Sequence, residues 1–432
     1  MKNYFTRHYL WLGLLLLSSL GYQLSAQFTL SAEVRPRSEF RNGFKTPTTE
    51  AKDPVFFTEQ RSRLYLDYSE EKYKFRVSFQ DVRYWGETPQ IFKEENGNTF
   101  INEAWGQYFL SDKFSIKAGR QMISYDNQRF LGGLEWAQQG RRHDALLFIY
   151  EDKEAKSKLH LGLAYNSDDD VPEFANLQNV GANFYSVGGN YKSLQYAWFN
   201  KKFDKGSLYL LALNAGIQQA DSTVSNKQTF GAIPRLKLSE KLSIGADVYY
   251  QTGKLGNNNV DALLAGFNAT LKTKLTPITL GVEYISGKDD SDNSSTITNF
   301  NPDYGTNHAF NGFMDYFFVG PANGNVGVTD FYVKTKFPLK KGALILNVHE
   351  FFTGSEQLDN EGQALSSAMG TEIDLVYALK LSPGVSFNIG YSQMLATDTM
   401  LALRPGDQKM NSWAWTMITF KPTLFKSEKE NK

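Results

Sequence analysis

The chain has 432 residues, with 46 basic and 46 acidic side chains, 14% aromatic residues and no cysteine. The missing cysteines exclude a disulfide framework, a thiolate zinc site and a cysteine nucleophile. Zero net charge argues against nucleic acid bound by bulk charge, and the length suits either two or three soluble domains or one large barrel.

Residues 1–26 read as a signal peptide. Lys2 and Arg7 give a basic start, Tyr9 to Leu17 an apolar centre, and Ser25-Ala26 a small-residue cleavage site. No later segment carries about 18 consecutive apolar residues, so no membrane-spanning helix is expected after it. The mature chain from Gln27 instead alternates with period two. Phe28, Leu30, Ala32 and Val34 alternate with polar neighbours, as do Tyr73 to Phe79, Leu242 to Tyr250, Leu263 to Leu271, Ile278 to Tyr284 and Val385 to Tyr391. Such segments suit tilted strands of about 10 residues crossing a bilayer.

The connections separate a membrane barrel from a soluble sandwich. Tight turns fall at 69–72, 111–112, 151–156, 201–205, 239–240, 274–276, 338–341 and 382–383. Mostly longer polar loops fall between them, at 41–55, 85–99, 123–140, 167–185, 220–226, 254–259, 288–326, 354–370 and 397–409. Eight turns alternating with nine loops imply eighteen strands. The expected fold is therefore all-β, a transmembrane antiparallel barrel over 27–421 with short periplasmic turns and long extracellular loops. A tail, 422–432, would follow the closing strand Trp413 to Phe420. Alternation explains the mean hydropathy of -0.42, because half of each strand faces an aqueous lumen. Tyr84 with Trp85, Trp105 with Tyr108, Trp413 with Trp415, and Phe420 are expected in interfacial girdles.

Arginine is unevenly placed. Eleven lie between Arg35 and Arg142, and only Arg235 and Arg404 follow. Arg35, Arg37, Arg61, Arg63 and Arg76 share the polar parity of their strands, so a wall of guanidinium groups facing the lumen is expected to hold carboxylates bidentately. Arg83, Arg120, Arg129, Arg141 and Arg142 extend the set, with the direction of Arg83 and Arg120 open to a local bulge. Glu33, Glu59, Asp81, Glu103, Asp126 and Asp144 are interleaved acids. They would stiffen the wall as ion pairs or keep solute binding weak.

The runs Gly119-Arg120-Gln121, Asp126 to Gly132 and Trp136 to Asp144 resemble the motif of alginate-export outer-membrane porins. Glu33 to Arg37, Gln80 to Gly86 and His308 to Tyr316 are similar to other parts of that family. The resemblance implies an eighteen-stranded barrel in the outer membrane of a Gram-negative envelope, with an electropositive constriction that passes a polyuronate. Its partners would be outer-membrane lipid, an anionic oligo- or polysaccharide and periplasmic export proteins. The neutral charge and the arginine-poor second half depart from the founding exporters and imply weaker anion selectivity. A general or nutrient-uptake porin and a non-conducting adhesin-like barrel are the alternatives.

No catalytic role is expected. A barrel phospholipase needs His, Ser and an orienting polar group on the lipid-facing wall, and no strand shows that set. No cofactor is expected beyond calcium at the acidic loops Asp168-Asp169-Asp170 and Asp289 to Asn293, where solvated loop acids are the plainer reading. The loop 288–326 is too apolar at Phe310 to Phe318 for a solvated loop. It is expected to fold back into the barrel mouth or pack on the wall; if it narrows the pore, deleting Asn311 to Val319 would raise conductance.

Overall fold

The computed structural model describes residues 26–87, 98–167, 190–317 and 326–427. Residues 1–25 of the expected signal peptide, Asp168 to Asp170, Phe318 with Val319 and the last five residues lie outside them. No helix among the described residues is long and apolar enough to cross a membrane.

Eighteen antiparallel strands form one closed wall. We number them β1 (Gln27–Asn42), β2 (Val55–Ser69), β3 (Tyr73–Tyr84), β4 (Asn98–Phe109), β5 (Phe114–Gln121), β6 (His143–Asp152), β7 (Ser157–Tyr165), β8 (Ser193–Phe203), β9 (Gly206–Gln218), β10 (Val224–Lys237), β11 (Leu242–Leu255), β12 (Ala262–Lys272), β13 (Pro277–Ile285), β14 (Val328–Leu339), β15 (Gly342–Phe352), β16 (Ala368–Ser382), β17 (Val385–Ala396) and β18 (Met410–Phe420). Each pairs with the next in sequence, and β18 closes on β1 with Asn42 opposite Ser412 and Val34 opposite Phe420. Closure gives every strand edge a partner, which a bilayer interior demands because it offers none. Two short pieces add to this wall. Asn258–Asn259 extends a hairpin on β11, and Thr423–Lys426 continues past β18 to pair with β1.

That last strand occupies part of the expected tail. Thr29 faces Lys426, and Phe28 packs against Phe425. The Ala32 and Ser427 N–H groups donate across the seam to the Pro422 and Phe28 carbonyls at 3.1 and 2.9 Å.

The two faces of the wall are chemically distinct. Outward positions carry exposed apolar side chains such as Val34, Leu64, Phe79, Phe148, Phe267 and Leu280, while inward neighbours such as Glu33, Arg35, Arg63, Gln80 and Asp374 are buried. One interruption matters for the site. On β4 the register shifts between Ser78 and Phe79 of β3, leaving Asn102 as an extra, buried residue that donates to the Ser78 hydroxyl at 3.1 Å.

Candidate functional site

The lumen is occupied by chain. The loop between β5 and β6, residues 122–142, leaves the wall and crosses the interior. Its segment Glu135 to Gln139 lies along the arginine-bearing face of β1 and β2. Arg35 donates to the Glu135 carbonyl at 2.7 Å and to the Gln138 side chain at 2.8 Å. Arg37 donates to the Trp136 carbonyl at 2.5 Å and to Glu59 at 3.0 Å, and lies over the Trp136 ring. Arg61 pairs with Glu33 and reaches the Glu135 carbonyl at 3.2 Å. Arg63 bonds Gln80 and donates to the Glu135 carboxylate at 2.6 Å. All four guanidinium groups are buried. They have the donor number to hold an irregular backbone whose carbonyls would otherwise be orphaned.

Glu135 is the centre of this latch, and the sequence reading did not select it. It also receives Arg142 at 2.8 Å. Burial alone would raise its pKa, but Arg63, Arg61 and Arg142 outweigh that and pull it down to about 2. Gly140 permits the crowding. Its φ is +69°, and a Cβ there would lie 2.8 Å from Glu135 and 3.0 Å from Arg63. The available signal was a lone acid between Asp126 and Asp144 in a loop containing Arg129, Arg141 and Arg142.

The other end of the loop reaches the opposite wall. Asp126 accepts from the Trp198 indole of β8 at 2.9 Å, and Asn127 donates to Asp247 of β11 at 2.7 Å. Arg129 pairs with Glu283 of β13 and donates to Asn311 at 2.8 Å. The loop between β13 and β14 folds in to meet it, as its apolar middle led us to expect. Met314, Tyr316 and Phe317 are buried. The Met314 N–H donates to Glu372 of β16 at 2.8 Å, and the Tyr316 hydroxyl to the Gly43 carbonyl at 2.6 Å. The two loops grip each other. Gly132 N–H donates to the Tyr304 carbonyl at 2.7 Å, Thr306 N–H to the Gln128 carbonyl at 2.8 Å, and Arg141 to the Gly305 carbonyl at 2.5 Å. His308, bonded to Asp315 at 2.8 Å, stacks on Trp136 with centroids 4.6 Å apart.

Toward the short-turn end the inward face is open. A cavity of about 350 Å³ is lined by Lys74, Gln107, Lys117, Tyr125, Glu151 and His160. Lys117 lies 3.8 Å from the centre of the Trp105 ring, and Arg76 bonds Asp67 at 2.6 Å with Glu103 at 3.4 Å. The lysines escaped the sequence reading, which followed arginine alone, although Lys74 and Lys117 have inward parity on their strands.

Four expected lumen residues lie elsewhere. Asp81 and Arg83 keep the parity of exposed Phe75 and Phe79, and Arg120 and Asp144 that of Phe114 and Phe148, so all four face outward. Arg83 pairs with Asp81 at 2.6 Å and Arg120 with Asp144 at 3.0 Å. The parity slip that left Arg83 open is real but belongs to β4, at Asn102, and leaves β3 regular. The girdle expectation also needs correction. Trp85, Tyr108 and Phe420 are exposed, but Trp413 and Trp415 are buried inside against Trp136. Trp105 likewise faces inward, where it donates to Glu103. In the acidic loop, Asp289 and Asp290 accept from the Glu356 and Leu358 N–H groups at 2.7 and 2.9 Å. No group of three acids or histidines able to hold a metal occurs among the described residues.

A family model described as alginate export matches residues 26–413. No curated protein matches the chain. Solved structures share the fold at low identity. Acinetobacter baumannii OccAB4 is similar at 10% identity and a TM-score of 0.63, over 94% of this chain and 99% of that one. Pseudomonas aeruginosa OccK2 (OpdF) in complex with glucuronate matches at 12% identity and 0.58, over 92% and 97%. Pseudomonas aeruginosa OpdK with vanillate matches at 9% and 0.58, over 92% and 99%.

Proposed function

The chain belongs to the alginate export family, and on that premise we propose that this outer-membrane barrel is a porin passing anionic sugars, polyuronates among them, by passive diffusion along a basic lumen. The observation that carries the reading is the inward row Arg35, Arg37, Arg61, Arg63 and Arg76 on three adjacent strands. Planar guanidinium groups in register suit successive carboxylates of a uronate chain. The donors that hold the Glu135 to Gln139 backbone are those a uronate would compete for, so entry of an anion and loosening of the loop are one event in this mechanism. Lys74 and Lys117 attract anions into the cavity below, and Trp105 offers a ring face for a sugar. Glu33, Glu59 and Glu103 share the arginines and keep binding weak enough for release.

A second reading has its own observation. The loop 122–142 crosses the lumen from β1 to β13, which favours small carboxylates over a polymer, and solved barrels of this fold hold glucuronate and vanillate. Single-channel recording in asymmetric salt, with oligouronates of increasing length and neutral sugars of equal size, separates the readings. Anion-biased current blocked by long oligouronates supports polymer passage. Block by monouronate alone supports the small-solute porin, and current indifferent to all of them refutes both.

A further inference from the structure

The outward face of β2 to β6 carries charged side chains at positions where the wall around β12 is apolar. On β12, Leu263, Ala265, Phe267, Ala269 and Leu271 face outward over eight residue steps, about 26 Å along the strand. Allowing for strand tilt, that is about 20 Å of apolar height, close to the belt a barrel presents to lipid. On β3 the outward run is Tyr73, Phe75, Val77 and Phe79, about 15 Å of height by the same rule, before Asp81 and Arg83 replace it. The neighbours agree. β2 changes from Leu64 to Ser62 and Gln60, β5 from Ala118 to Arg120, and β6 from Leu146 to Asp144.

The polar patch lies within the belt and not above it. Exposed Phe40, Phe56 and Trp85 return on its loop side. Its members bond one another. Thr99 donates to Asp81 at 2.9 Å, Trp85 to Gln60 at 3.1 Å, and Arg120 to both Asp144 and the Ile101 carbonyl. Yet the Arg120 and Asp144 side chains remain 38% and 59% exposed. Charged groups turned to hydrocarbon are costly. Two arginines and two aspartates make the patch neutral, with both signs presented. A neutral patch of in-chain ion pairs suits the same patch on a second molecule better than an anionic lipid headgroup, which would require a net basic surface.

We propose that this face, on β2 to β6, is where two copies of the chain pair in the membrane, leaving the apolar wall around β12 to lipid. The test is the mass of particles extracted with their native lipid into polymer discs. Wild-type particles should hold more than one chain. Ser62→Trp, a wedge on the patch that keeps every charge, and the double variant Arg83→Glu with Arg120→Glu should each give single-chain particles. Both should still show the heat-dependent gel mobility of a folded barrel, and the Trp variant keeps the test decisive if the charge variant does not fold. Leu280→Ala, on the apolar wall, should leave the assembly intact. Single-chain wild-type particles would overturn the proposal, with retained lipopolysaccharide assigning the patch to lipid. Wild-type mass persisting in the folded wedge variant would overturn it as well.

Discussion

Glu135 shows how much one side chain can decide. It receives three arginines from two structural sources, β2 and its own loop, at 2.6 to 3.2 Å. Glu135→Ala should leave Arg63 without its closest acid and loosen the segment that crosses the lumen, which the carbonyl bonds from Arg35, Arg37 and Arg61 would still tether. Single-channel conductance should then rise by about two-fold or more, since the narrowest cross-section governs flow. A folded variant with wild-type conductance would show that this segment does not set the constriction. Because the folded pKa of Glu135 is depressed to about 2, its contribution is complete above the ordinary carboxylate range and is lost only as pH falls through about 2. Acidifying from pH 7 to pH 5 should therefore leave the latch, and the conductance it sets, unchanged. Arg129 bears on stability in another way. Arg129→Met strands buried Glu283, and loss of one partner from a buried pair costs about 3 kcal/mol. That loss would appear as a lower urea midpoint for the transition from folded to unfolded gel mobility.

At the scale of elements, the strands were legible and the inward loops were only partly so. Leu263 to Leu271 could be placed because a two-residue period has one physical explanation, a wall with two different sides. The strand count could be placed because turns and loops alternate in length. The course of Glu135 to Gln139 could not, because its partners are its own carbonyls, which every residue carries. The apolar run Phe310 to Phe318 did reveal its direction, since burial of Met314, Tyr316 and Phe317 needs an interior. Asp81 was misplaced because its charge argued for water while its parity with Phe79 argued for the outer face, and parity prevailed; Arg83, whose direction a bulge left open, follows the same parity. The two inward loops are joined by backbone bonds and by the Trp136–His308 stack, so they should yield together. Trp136→Ala, which removes the ring beneath Arg37 and beside His308, should raise the frequency of channel flicker more than the mean conductance. An unaltered flicker rate would mean that the backbone bonds suffice.

For the whole molecule, the closing seam is the critical contact. β1 is sixteen residues long, but β18 is eleven, and Thr423–Lys426 covers part of the remainder. Removing residues 423–432 leaves the lower edge of β1 unpaired. With about three cross-seam hydrogen bonds lost at about 1 kcal/mol each, the barrel should lose about 3 kcal/mol of stability, measured as the temperature at which folded gel mobility disappears. An unchanged temperature would mean that water at the rim satisfies the freed groups. The same seam has a consequence for connectivity. The Phe28 N–H donates to the Ser427 hydroxyl at 2.8 Å, so positions near the two ends of the described wall are already neighbours on one rim. A few-residue linker from Ser427 to Gln27 would turn the first and last strands into one more hairpin. The chain could then be opened at any of the eight existing turns, and a circularly permuted barrel of the same shape would result.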